Sequence, residues 1–143
     1  MSEFLTMEEF LGMNTQADEK GEWEWKRNGV KLPIRSVPSD VYYKARKAAM
    51  KVSVIGKKSK AERKVEFDDL RFKSEIIIAG IDTDRTNFRI DSPQVLAKFG
   101  KIAAVDVVPC IFRPNEIDSL YEAIAAISDF ADDEEAEEEV KNS

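Results

Sequence analysis

Carboxylates are the most plentiful side chains in this sequence that could do chemistry. The Asp82-Thr83-Asp84 spacing matches the start of a calcium-binding loop, but such a loop also needs a glycine at its sixth position and a glutamate at its twelfth. The sequence has Asn87 and Pro93 at those positions, so we predict no calcium site. A two-carboxylate hydrolase using residues such as Asp68-Asp69 stays open, although nothing in the sequence marks a pocket.

The other residue types that catalysis uses are scarce. The 143 residues include no histidine, which excludes a histidine acid–base, a Ser-His-Asp triad and a His-ligated metal. Cys110 is the only cysteine; its apolar neighbours predict a small buried side chain. Gly56-Lys57-Lys58-Ser59 lacks the upstream glycine of a phosphate-binding loop. We therefore predict no catalytic, cofactor-binding or metal-binding residues, and no enzyme.

Charge is unevenly distributed along the chain. The sequence has 22 basic and 28 acidic residues, a net charge of −6, which argues against a general affinity for nucleic acid. Residues 44–64 are dense in lysine and arginine, whereas residues 129–139 are almost all acidic. The basic segment leaves open a small nucleic-acid-associated regulatory protein. It also leaves open a basic face that receives an acidic tail, either its own or that of another copy.

No segment has the length and apolar content of a membrane span, and the N-terminus lacks the pattern of a signal peptide. We therefore predict a cytoplasmic protein that has no membrane partner.

The clearest helix pattern lies at residues 114–130. Pro114 suits the first helical position, and Glu116 places negative charge in the first turn, where the helix dipole favours it. Apolar residues recur at steps of three and four, which predicts one stripe that closes the core: Ile117, Leu120, Tyr121, Ile124 and Ile127.

A second organised stretch begins the chain. Thr6 and Glu9 have the spacing of a capping box for a short helix that reaches about Met13. Residues 14–21 are polar and predict a mobile linker, so residues 1–21 form an arm and linker. The sequence does not decide whether this arm detaches or packs on the core.

Asn28-Gly29 lies between two stretches of alternating apolar and charged residues and predicts a β-hairpin over residues 22–35. Trp23 and Trp25 fall on one face of the hairpin, and Pro33 makes the second strand an edge. Because a two-stranded sheet is marginal alone, the tryptophan face must lie on helices or on a partner.

The remaining patterns predict helices at about 40–54, 66–79 and 93–99, and a short helix that breaks or kinks at Pro109. We predict an α+β, mostly α-helical fold with the N-terminal β-hairpin packed on a helical domain. A single globular domain would span residues 22–131. The acidic tail, residues 132–143, is predicted to be disordered or to be a frayed helical extension.

Four stretches together resemble the small tail assembly chaperones of long-tailed phages and related prophages of Gram-positive bacteria. They lie at residues 6–11, 67–80, 96–100 and 111–117, and the last is followed by an apolar-striped helix and an acidic end.

The resemblance implies a non-enzymatic chaperone that holds tail tube (major tail) subunits and associates with the tape measure protein in the host cytoplasm. It also implies absence from the finished tail, and often a longer form made by a translational frameshift. We expect the arm and hairpin to contact tube subunits, or sister copies in a homo-oligomer, through five residues: Phe4, Phe10, Leu11, Trp23 and Trp25.

Overall fold

The computed structural model describes residues 3–55 and 62–130. The predicted acidic tail and residues 56–61 of the basic segment lie outside these residues. In chain order the elements are α1 (Met7–Leu11), β1 (Lys20–Trp25), β2 (Val30–Arg35), α2 (Ser39–Ala49), β3 (Met50–Ile55), β4 (Glu62–Phe67), α3 (Asp69–Gly80), α4 (Pro93–Phe99), α5 (Ala104–Ile111) and α6 (Pro114–Ser128). The fold is mostly helical with a hairpin packed near the N-terminus, which confirms the predicted class.

Helix α3 is the centre of the packing and contacts α2, α5 and α6. The side chain of Asp68 starts it by accepting a hydrogen bond from the Arg71 N–H at 3.0 Å. Phe72, Ile76 and Ile77 are buried, and the ring of Phe72 lies 5.7 Å from that of Tyr121 on α6. The predicted helix at 66–79 therefore begins three residues late, because residues 62–67 form a strand instead.

The stripe predicted for α6 is confirmed, and it closes the core against α3. Its buried residues are Ile117, Leu120, Tyr121, Ile124 and Ala125. The helix ends at Ser128, two residues before the predicted end, because Asp129 adopts a left-handed conformation with φ 61°.

Strands β1 and β2 form the predicted hairpin, which is slightly longer than expected. Trp23 pairs with Leu32 across the antiparallel ladder, and Gly29 supplies the left-handed turn residue with φ 64°. Of the two alternatives for the tryptophan face, packing on helices is the one observed. The ring of Trp23 meets that of Phe112 edge-on at 5.9 Å. The Trp23 indole N–H also donates to Ser119 Oγ of α6 at 3.0 Å.

The helix predicted at 40–54 is wrong beyond Ala49. Residues 50–55 form β3, which pairs antiparallel with β4 from Met50 opposite Phe67 to Ile55 opposite Glu62. The β-branched residues Val52, Val54 and Ile55 favour extended backbone over helix. Their alternation with polar residues indicated a strand, but the apolar steps from Ala45 to Val52 also fitted a helical period.

Helix α5 contains Pro109 and continues only to Ile111, so the predicted break comes two residues after the proline. Cys110 is exposed, and the prediction that it is buried is wrong. Helix α5 buries Val107 and Val108, and a residue two positions after Val108 lies on a different side of the helix.

The calcium-like aspartates have a structural role. Asp82 is buried, and its Oδ2 accepts a 2.6 Å bond from Arg85 Nε. The Arg85 guanidinium also donates to the carbonyls of Gly21 and Ile34, at 2.9 and 2.8 Å. This arginine holds the pKa of Asp82 below its usual range. The pair therefore fastens the β1–β2 hairpin to the chain that follows α3.

Candidate partner-binding surface

The N-terminal arm, residues 3–13, has an ordered helical start. The Glu9 N–H donates to Thr6 Oγ1 at 3.1 Å, and the Thr6 hydroxyl donates to Glu9 Oε1 at 3.0 Å. Thr6 therefore caps α1 as predicted, although its glutamate partner binds the hydroxyl rather than the Thr6 backbone. Helix α1 is only five residues long and has no buried residue, so core packing does not stabilise it.

The apolar side chains of the arm are largely exposed. Phe4 is 79% exposed, Leu11 is 74% exposed and Phe10 is 46% exposed. Leu5, Met7 and Met13 are exposed as well. Six large apolar side chains within eleven residues form a surface that a monomer rarely leaves uncovered. No residue from 3 to 13 is buried, and whether the arm detaches stays a prediction.

The segment after the arm is attached to the body of the protein. The Ser39 N–H donates to Gln16 Oε1 at 3.1 Å. Glu19 and Ser36 exchange two hydrogen bonds: the Glu19 N–H donates to Ser36 Oγ at 2.9 Å, and the Ser36 N–H donates to the Glu19 carbonyl at 2.8 Å. The predicted linker is therefore hydrogen-bonded to Ser36 and to Ser39, the first residue of α2. The arm begins from this attached segment.

The two tryptophans of the predicted set lie elsewhere, on the hairpin. Trp23 is only 7% exposed because it packs on Phe112 and α6, so its side chain offers a partner no open face. Trp25 is half-buried, with its ring 4.9 Å from that of Phe112. Phe4, Phe10 and Leu11 thus lie on the arm, whereas both tryptophans lie on strand β1.

Glu116 joins the hairpin turn to the first turn of α6, and the sequence did not identify this contact. Arg27 binds its carboxylate with two bonds, Nη2 to Oε1 at 2.9 Å and Nε to Oε2 at 3.1 Å. The Arg113 N–H donates to Oε1 at 2.7 Å and the Trp25 indole N–H to Oε2 at 2.7 Å. The bonds from Arg27, then those from Arg113 and Trp25, lower the pKa of Glu116 to about 2.

Comparison with known proteins identifies the family. A family model described as phage XkdN-like tail assembly chaperone protein, TAC, matches residues 7–141. The chain belongs to this family. No curated protein matches it, and no solved structure does. The family's description names an assembly role rather than a reaction.

The chaperone also exposes a second hairpin that the sequence did not predict. Met50, Val65 and Phe67 on β3 and β4 are exposed, and each of these strands has the other as its one sheet partner within the described residues.

A groove of about 450 Å³ lies elsewhere, between the β1–β2 turn and α4–α5, and Phe88, Phe99 and Cys110 are among its lining residues.

Two kinds of site are missing from the described part of the chaperone. The side chains described for residues 3–51 and 65–130 include no group of three or more histidines, cysteines, aspartates or glutamates placed to hold a metal ion. None of the helices in those ranges is long and apolar enough to cross a membrane.

We expect Glu116→Gln to destabilise the chaperone by about 1–2 kcal/mol at pH 7, because it replaces charge-assisted bonds with weaker ones. The folded-state pKa of Glu116 is lowered from 4.5 to about 2. Its ionised form therefore contributes stability above about pH 4.5, and this contribution is lost as pH falls toward 2. Urea unfolding at a series of pH values should show the gap between parent and variant narrowing over that interval.

The matched control for this prediction is Glu122→Gln on the exposed side of the same helix. It should change the free energy of unfolding by less than about 0.5 kcal/mol at any of these pH values. A gap between parent and Glu116→Gln that stays constant from pH 7 to pH 3 would contradict the assigned role of the ionised carboxylate.

Proposed function

We propose that this tail assembly chaperone holds tail tube subunits and associates with the tape measure protein while the tube is built. It would act in the host cytoplasm and be absent from the finished tail. The single observation that supports the proposal is the exposure of the arm's apolar side chains. They are exposed although the helix of the arm is capped and the segment after it is hydrogen-bonded to the body of the protein.

The chemistry of the arm suits a helix-in-groove contact. An amphipathic helix binds by placing apolar side chains into a hydrophobic groove of its partner. In the arm, Phe10 and Leu11 lie on the helix and Phe4 lies just before it. Burial of such side chains is the main favourable term in protein association. We infer that the arm covers an apolar surface of the tube subunit until neighbouring subunits bury that surface in the tube.

The β1 edge of the hairpin offers a second contact. On the β2 side, Ile34 forms an isolated bridge with Ile81, and the Pro33 carbonyl accepts the Asp82 N–H at 2.9 Å. Strand β1 pairs with no strand but β2 among the residues that the structure describes. A free edge of this kind can receive an extended segment from another chain. Trp25 would lie near such a segment, whereas Trp23 is buried and takes no part.

Co-expression with the tail tube subunit encoded beside this chain tests the proposal. Size-exclusion chromatography with light scattering should show a soluble complex of both chains whose mass excludes a polymer. That complex should disappear when tube polymerisation is triggered. A chaperone that elutes alone, while the tube subunit polymerises or precipitates as it does without it, would contradict the holding role. The same experiment with the tape measure protein tests the second association.

A further inference from the structure

Helix α2 carries a row of lysines on its solvent side. Lys44 and Lys47 are exposed, Lys51 follows at the start of β3, and Ala45 and Ala49 are buried on the opposite side. Lys51 lies 3.4 Å from the carboxylate of Asp68. Among the side chains that the structure describes, those of residues 3–51 and 65–130, no carboxylate forms an ion pair with Lys44 or Lys47. We name Lys44, Lys47 and Lys51 the lysine face.

The described chain ends beside this helix. The ring of Phe130 lies 4.4 Å from that of Tyr42 on α2, and the Phe130 N–H donates to the Ala125 carbonyl at 3.1 Å. The chain therefore leaves α6 next to the N-terminal half of α2, with Tyr43 packed on Tyr42 at 5.2 Å on the way to the lysine face.

The length of the remaining chain is sufficient to reach the lysine face. Residues 131–143 number 13 and can span up to about 45 Å when extended. Helix α2 has 11 residues, so it is about 16 Å long and about 10–12 Å wide. The segment could pass around α2 and lie along the whole lysine face.

The charge of the segment complements the face. Residues 131–143 hold seven of the 28 acidic residues and one of the 22 basic residues, so 21 of each remain. The net charge of the protein is therefore carried by this segment. All seven carboxylates lie between Asp132 and Glu139, in a stretch too polar to contribute to a core.

We propose that the acidic segment 132–139 docks on the lysine face of its own chain. Each exposed ion pair is weak, but the attachment at Phe130 keeps the carboxylates at a high effective concentration near the lysines. The result is a reversible, salt-sensitive contact between the acidic segment and the lysine face. This role does not depend on tube binding, so either proposal can fail while the other stands.

Paramagnetic broadening in the full chain tests the docking. A nitroxide attached to Ser143→Cys, in a Cys110→Ser background, should broaden the amide signals of residues 43–48 and leave those of α4 sharp. The broadening should be strong at about 0.01 M salt, where the Debye length is ~30 Å, and lost at about 1 M, where it is ~3 Å.

Two charge-reversed variants provide the matched comparison. Lys44→Glu with Lys47→Glu should remove the broadening, whereas Lys98→Glu with Lys101→Glu, two exposed lysines near α4, should leave it intact. If the first variant does not fold, the salt series on the parent decides. Broadening that is uniform along the chain or insensitive to salt overturns the proposal. Broadening that appears only between a labelled and an unlabelled copy also overturns the proposal, because it shows docking on another copy of the chain.

Discussion

Replacement of Phe4, Phe10 and Leu11 by serine is expected to abolish capture of the tube subunit without unfolding the chaperone. A buried phenylalanine or leucine contributes roughly 1.5–3 kcal/mol through removal of its surface from water. Loss of three such contacts should therefore weaken the complex by about a thousandfold or more. These side chains are exposed in the chaperone, so the free energy of unfolding should change by less than about 0.5 kcal/mol per substitution.

The matched control removes three apolar side chains that are exposed elsewhere: Tyr43, Val65 and Ile102. Their replacement by serine should leave tube capture intact, which separates the arm from a general loss of surface hydrophobicity. Binding is measured by titration of the purified tube subunit, and stability by urea unfolding. Unchanged binding by the arm variant would refute the role of the arm, and a large loss of its stability would show that the arm is part of the core.

The largest effect on stability is expected where α3 crosses α6. A methyl group at Gly80 would lie 2.5 Å from Cδ1 and 2.7 Å from Cγ2 of Ile124, and Ile124 is fully buried. Gly80→Ala should cost about 1–3 kcal/mol through overpacking, and Ile124→Ala about 2–5 kcal/mol through the cavity it leaves. In the double variant the new methyl group enters that cavity, so the double variant should lose less stability than the sum of the two single losses.

Gly12→Ala is the control for this double-mutant cycle. Gly12 has φ −87°, and a Cβ there would approach no atom closer than 3.7 Å, so the variant should be neutral or slightly more stable. Urea unfolding of the four proteins of the cycle gives the coupling energy. Full additivity, or a Gly80→Ala variant as stable as the parent, would contradict the close approach of the two helices.

The sequence predicts those parts of the fold whose signals are local. The Asn28-Gly29 turn, the proline start of α6 and the Thr6 cap each depend on residues within a few positions of one another, and all are confirmed. Strand β3 was missed because apolar residues at 45, 48 and 52 satisfy a helical period as well as part of a strand. Strand β4 was not predicted, and its last two residues fell within the helix predicted at 66–79. The prediction that Cys110 is buried was wrong because apolar neighbours in sequence do not specify which side of a helix faces the core.

The candidate site was predictable only in part. The sequence indicates an apolar arm, but an amphipathic pattern does not distinguish a face that covers the core from one that awaits a partner. Trp23 is of a residue type that often binds partners, yet it is buried. Its contacts are Phe112 and Ser119, about ninety positions later in the chain, which fold against it. The ion pair between Arg27 and Glu116 also joins distant positions of the chain, so it leaves no local signal in the sequence.

The most direct test of the central claim is the rate of tube formation by purified tail tube subunits, followed by light scattering with and without an equimolar amount of the chaperone. We predict that the chaperone delays polymerisation and that a soluble complex of the two proteins persists during the delay. The arm variant should not delay it. Identical time courses with and without the chaperone, and no complex by sizing, would contradict the claim that this protein holds tube subunits.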